Sequence, residues 1–437
     1  MKILLFYENI NREYEALVLL KHELQKRGHR VKISHFGFHD WGFHFLFSKP
    51  DIIVTPWLRN DENVARWACF RRLKKSTKMV NLQWEQVYSR KGLESGLTKT
   101  HDQALNAIHL CWGAKTVNRL ISEGVPANQL YVNGPMQFDL CRPEYRNYFK
   151  QRSELAVEFD LPEDRTWGLY ISSFSFATLR SDILEQIERA GGDYSDFINI
   201  SIRSRNKTLD WIERFMENNP EKVFIYRPHP AERSDERIMT MEKKYKNFHV
   251  ISKYSVKQWI LASEYIGVWI STSSSEIYAL GKNCKIFRPE PLSDYYDLEY
   301  MVDAKTFDSE QDFDDYFAGN CKEADFPIEE SKLKEYYDFD SGKSSAVRTA
   351  DLLEEIAALQ YEQKFDLTSQ EALNFRKQLP GKILLSLFTS IYKYSLIPFG
   401  KLIPISPLKR CDAFFAREKN AYQIEKKLMD FLKSEKL

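Results

Sequence analysis

Residues 265–281 read YIGVWISTSSSEIYALG. The first six are aromatic, β-branched or small, which predicts a buried strand, and EIYALG predicts a short helix closed by Gly281. Between them stand the hydroxyls of Ser271, Thr272, Ser273, Ser274 and Ser275, with Glu276 opening the helix. A strand that turns straight into a helix is the repeating half of a parallel α/β sheet. Upstream, VFIYRPHP at 223–230 begins in the same way, and its strand ends on Arg227-Pro228-His229-Pro230.

Working outward, the same alternation fills most of the chain. Strand candidates lie at 2–7 (KILLFY), 30–35, 51–55 (DIIVT), 78–82, 107–112 and 129–133, then at 167–172, 223–226, 249–252, 265–270 and 284–287. Helical patterns fall between them at 11–27, 62–75, 209–218, 233–245, 256–262 and 274–280. Two successive doubly wound parallel sheets are therefore expected, with ligands bound beyond the carboxyl ends of the strands and a cleft between the domains. The expected division is 1–142 as a first Rossmann-like domain, 143–165 as a linker helix, 166–345 as a second such domain, and 346–437 as a helical tail.

The chain has 437 residues, 63 Lys+Arg against 62 Asp+Glu, 43% hydrophobic and 14% aromatic content. That composition argues against disorder, and the balanced charge argues against a nucleic-acid binder. The balance is uneven along the chain, however. Residues 376–437 carry 13 Lys+Arg against 5 Asp+Glu, a net +8, and the rest carries −7. Within that tail, ILLSLFTSIYKYSLIPFGKLIPISP at 383–407 mixes apolar, aromatic and basic residues, as expected of a segment lying on an anionic membrane surface. The six cysteines are scattered without C-x-x-C spacing, and MKILLFYEN lacks the pattern of a signal peptide. A cytoplasmic protein with free thiols, peripheral to a membrane, is the expectation. The acidic, aromatic stretch 308–342 reads as a solvated face rather than a DxD metal site, and no metal is expected.

His229, locked between two prolines at a strand end, is a poor space-filler and a good candidate for donating to a phosphate oxygen, with Arg227 offering a two-pronged fork beside it. Hydroxyls and N–H groups at the start of the helix after 270 suit an anion, and Glu276 suits ribose hydroxyls or simply the helix dipole.

Together, R-P-H-P and strand–STSSSE–helix resemble the donor-binding half of GT-B glycosyltransferases of bacterial surface-polysaccharide assembly, such as those of capsule and O-antigen. Similar motifs occur in capsule Kdo transferases, polysialyltransferases and teichoic-acid glycerophosphotransferases. VNGPMQFD at 132–139 resembles the element closing the first domain of such proteins, which brings Gly134 and Asp139 into the candidate site. The opening ENINREYEALVLLKHELQKRGH and Gln83-Trp84-Glu85-Gln86 look like proteins described as surface carbohydrate biosynthesis proteins. The resemblance covers about residues 1–300.

The resemblance implies a GT-B fold and transfer of a sugar from a nucleotide-activated donor, CMP- or CDP-linked, to a glycan or lipid-linked acceptor at the inner membrane face. No cofactor beyond the nucleotide sugar is implied. Arg227, His229 and Ser273–Ser275 would touch the donor phosphate and Glu276 its ribose. The first domain would supply a carboxylate base: Glu13 first, Glu85 next, with Glu8 and Arg12 beside the acceptor. A nucleotide-sugar 2-epimerase of the same fold, a CDP-polyol phosphotransferase and a non-catalytic scaffold subunit are the alternatives.

Overall fold

The computed structural model describes every residue except 38–40, 85, 87, 97, 181, 184, 186–192, 234, 322–324, 340–341 and 395–405. It also leaves out the side chains of 41–43, 390–394, 406–411, 413–415 and 417–418. The chain divides into two compact units. Unit 1 comprises 1–86, 98–140 and 334–437, and unit 2 comprises 87–97 and 141–333.

Unit 1 is built on six parallel strands: β1 (Lys2–Tyr7), β2 (Arg30–His35), β3 (Ile52–Thr55), β4 (Lys78–Asn81), β5 (Ile108–Cys111) and β6 (Leu130–Val132). Their order across the sheet is β2-β1-β3-β4-β5-β6. β1, β3, β4 and β5 are buried almost throughout. They are the continuous apolar runs that a sheet covered on both faces requires. The order reverses at β1, which pairs with β2 on one side and β3 on the other. That reversal is the switch point of unit 1, where two loops leave in opposite directions and open a crevice.

Unit 2 repeats the design with β7 (Trp167–Ile171), β8 (Val223–Arg227), β9 (Phe248–Val250), β10 (Tyr265–Val268), β11 (Lys285–Phe287) and β12 (Thr306–Phe307), ordered β12-β11-β10-β7-β8-β9. Its switch point lies at β7, between β8 and β10. The core beneath is aromatic, with Tyr170, Phe215, Phe224, Trp269, Phe287, Phe313 and Phe317 packed together.

Four expectations are corrected. The helix expected at 209–218 starts at Ser195 and runs to Asn218. The stretch at 308–342 is not a solvated face throughout, because the helix Glu310–Ala318 turns Phe313 and Phe317 into the unit 2 core while its acids stay outside. The tail expected as a separate segment is part of unit 1. The helices Ser345–Ala358 and Ser406–Ser434 pack on Glu15–Lys26, and Gln370–Tyr394 packs on Trp41–Phe47 and Asp61–Ala68. The expected linker at 143–165 falls within unit 2.

Candidate functional site

In unit 1, the chain leaves β1 at Glu8 and enters a π-helical turn, Ile10–Tyr14, before the helix Glu15–Lys26. Asn9 caps that turn by accepting from Asn11 N. The wider turn, a feature concentrated at functional sites, carries Glu13 inward until it is fully buried. Both Glu13 oxygens are taken: Oε1 lies 2.6 Å from an Arg12 nitrogen and Oε2 accepts from Glu8 N at 2.7 Å. Burial nevertheless outweighs the Arg12 charge and pushes the Glu13 carboxyl above its ordinary range.

Glu8 is placed differently. Its side chain remains 33% exposed, with Arg12 3.8 Å away. The indole of Trp57, just beyond β3, donates to Glu8 Oε2 at 2.7 Å. His35, at the end of β2, lies 3.2 Å from the Glu8 carbonyl. Side chains from three neighbouring strand ends thus converge on Glu8 at the switch point. The expected leading base, Glu13, is sealed away from any acceptor hydroxyl and acts instead as the fastening of the turn that holds Arg12 and Glu8.

Glu85 lies outside the described residues. Around its segment, Gln83 adopts a left-handed backbone conformation (φ 55°). Gln83 Oε1 accepts from Arg119 at 3.2 Å, and Gln86 Oε1 accepts from Thr116 at 2.7 Å. His109 beneath them is fully buried, and desolvation pushes it down to about 4, so it is a neutral structural histidine.

Gly134 and Asp139 also prove structural. Gly134 has φ +73°, and a Cβ there would overlap the Arg348 guanidinium, so a backbone only glycine adopts easily meets a space only glycine fits. Asp139 accepts from Ser345 N and Ala346 N, each at 2.7 Å. It therefore caps the helix Ser345–Ala358, and both its oxygens are occupied there rather than by an acceptor.

In unit 2, the ends of β8, β7 and β10 are laced together. Ser172 N donates to Arg227 O at 2.9 Å, and Ile270 N donates to Ser173 Oγ at 3.2 Å. The R-P-H-P turn and the hydroxyl-rich turn therefore flank the switch point from either side. His229 is exposed at the end of this turn. Ala231 N donates to its Nδ1 at 3.1 Å, which leaves the neutral ring's proton on Nε2. Desolvation by the surrounding turn holds the imidazole below its ordinary range, with Glu232 opposing.

Glu232, not singled out in the sequence, organises this turn. Its buried carboxylate accepts from Tyr226 Oη at 2.6 Å and from Ser172 Oγ, and His229 N donates to it at 3.4 Å. Arg205, on the helix Ser195–Asn218, lies 3.5 Å from Glu232 and 2.7 Å from Asp235. A glutamate three residues beyond the histidine was the one available signal.

Arg227 departs from expectation. Its guanidinium donates to the carbonyls of Ile251, Lys253 and Tyr254. It thus ties the β8 end to the segment after β9, and burial lowers it to about 10. A fork already closed on three carbonyls is not open to the two-pronged contact expected of it.

The serines divide in two. Ser274 and Ser275 are fully buried. Ser274 Oγ donates to Ser271 O at 2.8 Å, and Ser275 Oγ lies 3.5 Å from Tyr300 Oη. Ser271 Oγ accepts from Ser273 N. Thr272 and Ser273 keep surface at the helix start Ser273–Ala279. Glu276 lies 2.9 Å from Lys257 Nζ, a partner the sequence did not disclose. The result is a set of polar groups at the strand ends, with Lys257 paired to Glu276 and Arg227 closed on backbone carbonyls. Among the described residues no cluster of three His, Cys, Asp or Glu could hold a metal.

No family model matches the sequence, and no curated protein matches it. Solved structures do match by shape. S. aureus MnaA, in a co-structure with UDP, is 10% identical with a TM-score of 0.51 over 84% of this chain and 99% of that one. The UDP-GlcNAc 2-epimerase from Methanocaldococcus jannaschii is 13% identical, TM-score 0.51, over 81% of this chain and all of that one. The UDP-GlcNAc 2-epimerase from Neisseria meningitidis bound to UDP-GlcNAc is 14% identical, TM-score 0.50, with the same coverage. The fold is of the GT-B type: two Rossmann-like α/β units matched along most of the chain.

Proposed function

We propose that this chain is a sugar transferase that draws on a nucleotide-activated donor, CMP- or CDP-linked, and delivers to a glycan or lipid-linked acceptor. The observation that carries this reading is the unit 2 switch point, where a neutral His229 with its proton on Nε2 stands across the β7 end from the Thr272–Ser273 helix start. Strand ends at a switch point are where α/β sheets hold nucleotides, and helix starts hold phosphates.

In this reading His229 donates to the phosphate as the sugar–oxygen bond breaks, and Thr272 and Ser273 solvate the charge that develops. Arg227 and Lys257 add positive potential from beneath. Unit 1 contributes Glu8 as the base that takes the acceptor hydroxyl proton, its carboxylate oriented by the Trp57 indole. Glu13 and Arg12 hold the turn on which Glu8 stands.

A second reading, a nucleotide-sugar 2-epimerase, is favoured by the epimerases among the solved structures of this shape. The two differ in what they need. Incubation of the full chain with CMP-, CDP- and UDP-sugars, with and without a lipid-linked glycan acceptor, separates them. Transfer predicts free nucleotide released only when acceptor is present. Interconversion at C2 without acceptor supports the epimerase and overturns the transferase. Binding of none of these nucleotides leaves a non-catalytic subunit.

A further inference from the structure

The helix Gln370–Tyr394 changes character half-way along. Its first half is an ordinary amphipathic element: Ala372 and Phe375 enter the core of unit 1 beside Val64, Trp67 and Phe70. Its second half is reversed. Ser386 and Thr389 are buried, at 0% and 1% exposure, while Leu384 is 70%, Leu385 52% and Phe388 51% exposed. Thr389 Oγ1 satisfies itself on Leu385 O. Leu373, about three turns before Leu384 on the same outward stripe (373, 377, 381, 384, 388), is 39% exposed. A helix that buries hydroxyls and turns Leu384, Leu385 and Phe388 outward is arranged for an apolar surface on its outer side.

The charge says what that surface is. Arg376 and Lys377 are exposed on the same helix, and residues 376–437 carry +8 against −7 for the rest of the chain. A second copy seated on this stripe through a two-fold would bring two such tails together, which like charge opposes. We infer that the outer face of Gln370–Tyr394 docks on an anionic lipid bilayer surface, with Leu384, Leu385 and Phe388 entering the acyl boundary and Arg376 and Lys377 among the headgroups. Among the described residues no helix is long and apolar enough to cross a membrane, and the docking proposed is to the surface alone. It stands apart from the enzymatic reading.

The test is flotation of the full-length chain with phosphatidylcholine vesicles and with vesicles containing about 30% phosphatidylglycerol. Wild type is expected to float with the anionic vesicles and to bind the neutral ones at least about tenfold more weakly. Leu384→Gln with Leu385→Gln is expected to lose about tenfold or more in binding with an unchanged melting curve, because both side chains are exposed. Arg376→Gln with Lys377→Gln is expected to weaken binding to anionic vesicles only, and provides the check should the leucine variant melt early. Failure of wild type to float, binding by both double variants equal to that of wild type, or a wild-type dimer that the leucine variant dissociates would overturn the inference.

Discussion

At the switch point of unit 1 the strand end presents carboxylates, Glu8 a third exposed and Glu13 buried, steadied by Arg12 and an indole N–H. At the switch point of unit 2 the same topological position presents donors: an imidazole N–H, two hydroxyls and the charge of Arg227 and Lys257, with Glu276 as counter-ion. One sheet design has been filled with opposite chemistries, one suited to removing a proton and the other to receiving an anion. Each also keeps a buried glutamate that touches no solvent, Glu13 in unit 1 and Glu232 in unit 2, and both fix the turn that carries the exposed group. At each switch point the buried glutamate accepts from the backbone of the turn that carries the exposed group, Glu13 from Glu8 N and Glu232 from His229 N.

The contrast can be broken in four places. Glu8→Gln removes the proposed base and is expected to lower turnover by about 10²–10⁴-fold while nucleotide binding stays as in wild type; a variant with full turnover would take Glu8 out of the mechanism. Glu232→Ala leaves Arg205 with only its more exposed partner Asp235 and is expected to cost about 3 kcal/mol of stability, read by urea unfolding. An unchanged midpoint would show that the buried network does not hold the turn. His229→Ala is expected to weaken nucleotide binding by about tenfold to a hundredfold, the worth of one hydrogen bond to a charged group, with melting of the free protein unaffected.

Glu13 offers the smallest and most pointed effect. Its folded carboxyl titrates above the ordinary 4.5 because burial disfavours the charge. The sign follows: its contribution to stability is complete below 4.5 and is lost as pH rises through the folded value. Glu13→Gln, which stays neutral, is expected to gain stability relative to wild type as pH rises from about 4 to 7. A difference that is flat with pH would mean that Arg12 fully compensates the buried charge.

Much of the fold was legible because parallel strands buried on both faces must be continuous apolar runs, and KILLFY, DIIVT and YIGVWI are that pattern. β12 was not, since two residues, Thr306 and Phe307, carry no period. The start of the helix Ser195–Asn218 was hidden because Ile198, Ile200 and Ile202 alternate with polar residues, a period of two that reads as a strand. Within the candidate site, position could be read and partnership could not. R-P-H-P and STSSSE were placed at strand ends by their neighbours in sequence. That Arg227 closes on carbonyls of 251–254, that Glu276 meets Lys257, and that Asp139 caps a helix 206 residues on are contacts between distant segments. Glu13 and Glu8 look alike in ENINRE; only the π-helical turn, which spacing does not announce, decides which of them is buried.

The most direct test of a nucleotide held at the unit 2 switch point is calorimetric titration of the full chain with CMP, CDP and UDP, set beside His229→Ala. Saturable binding of at least one nucleotide, weakened about tenfold or more in the variant, is the expected result. Binding that is equal in both proteins, or absent from both, would contradict it.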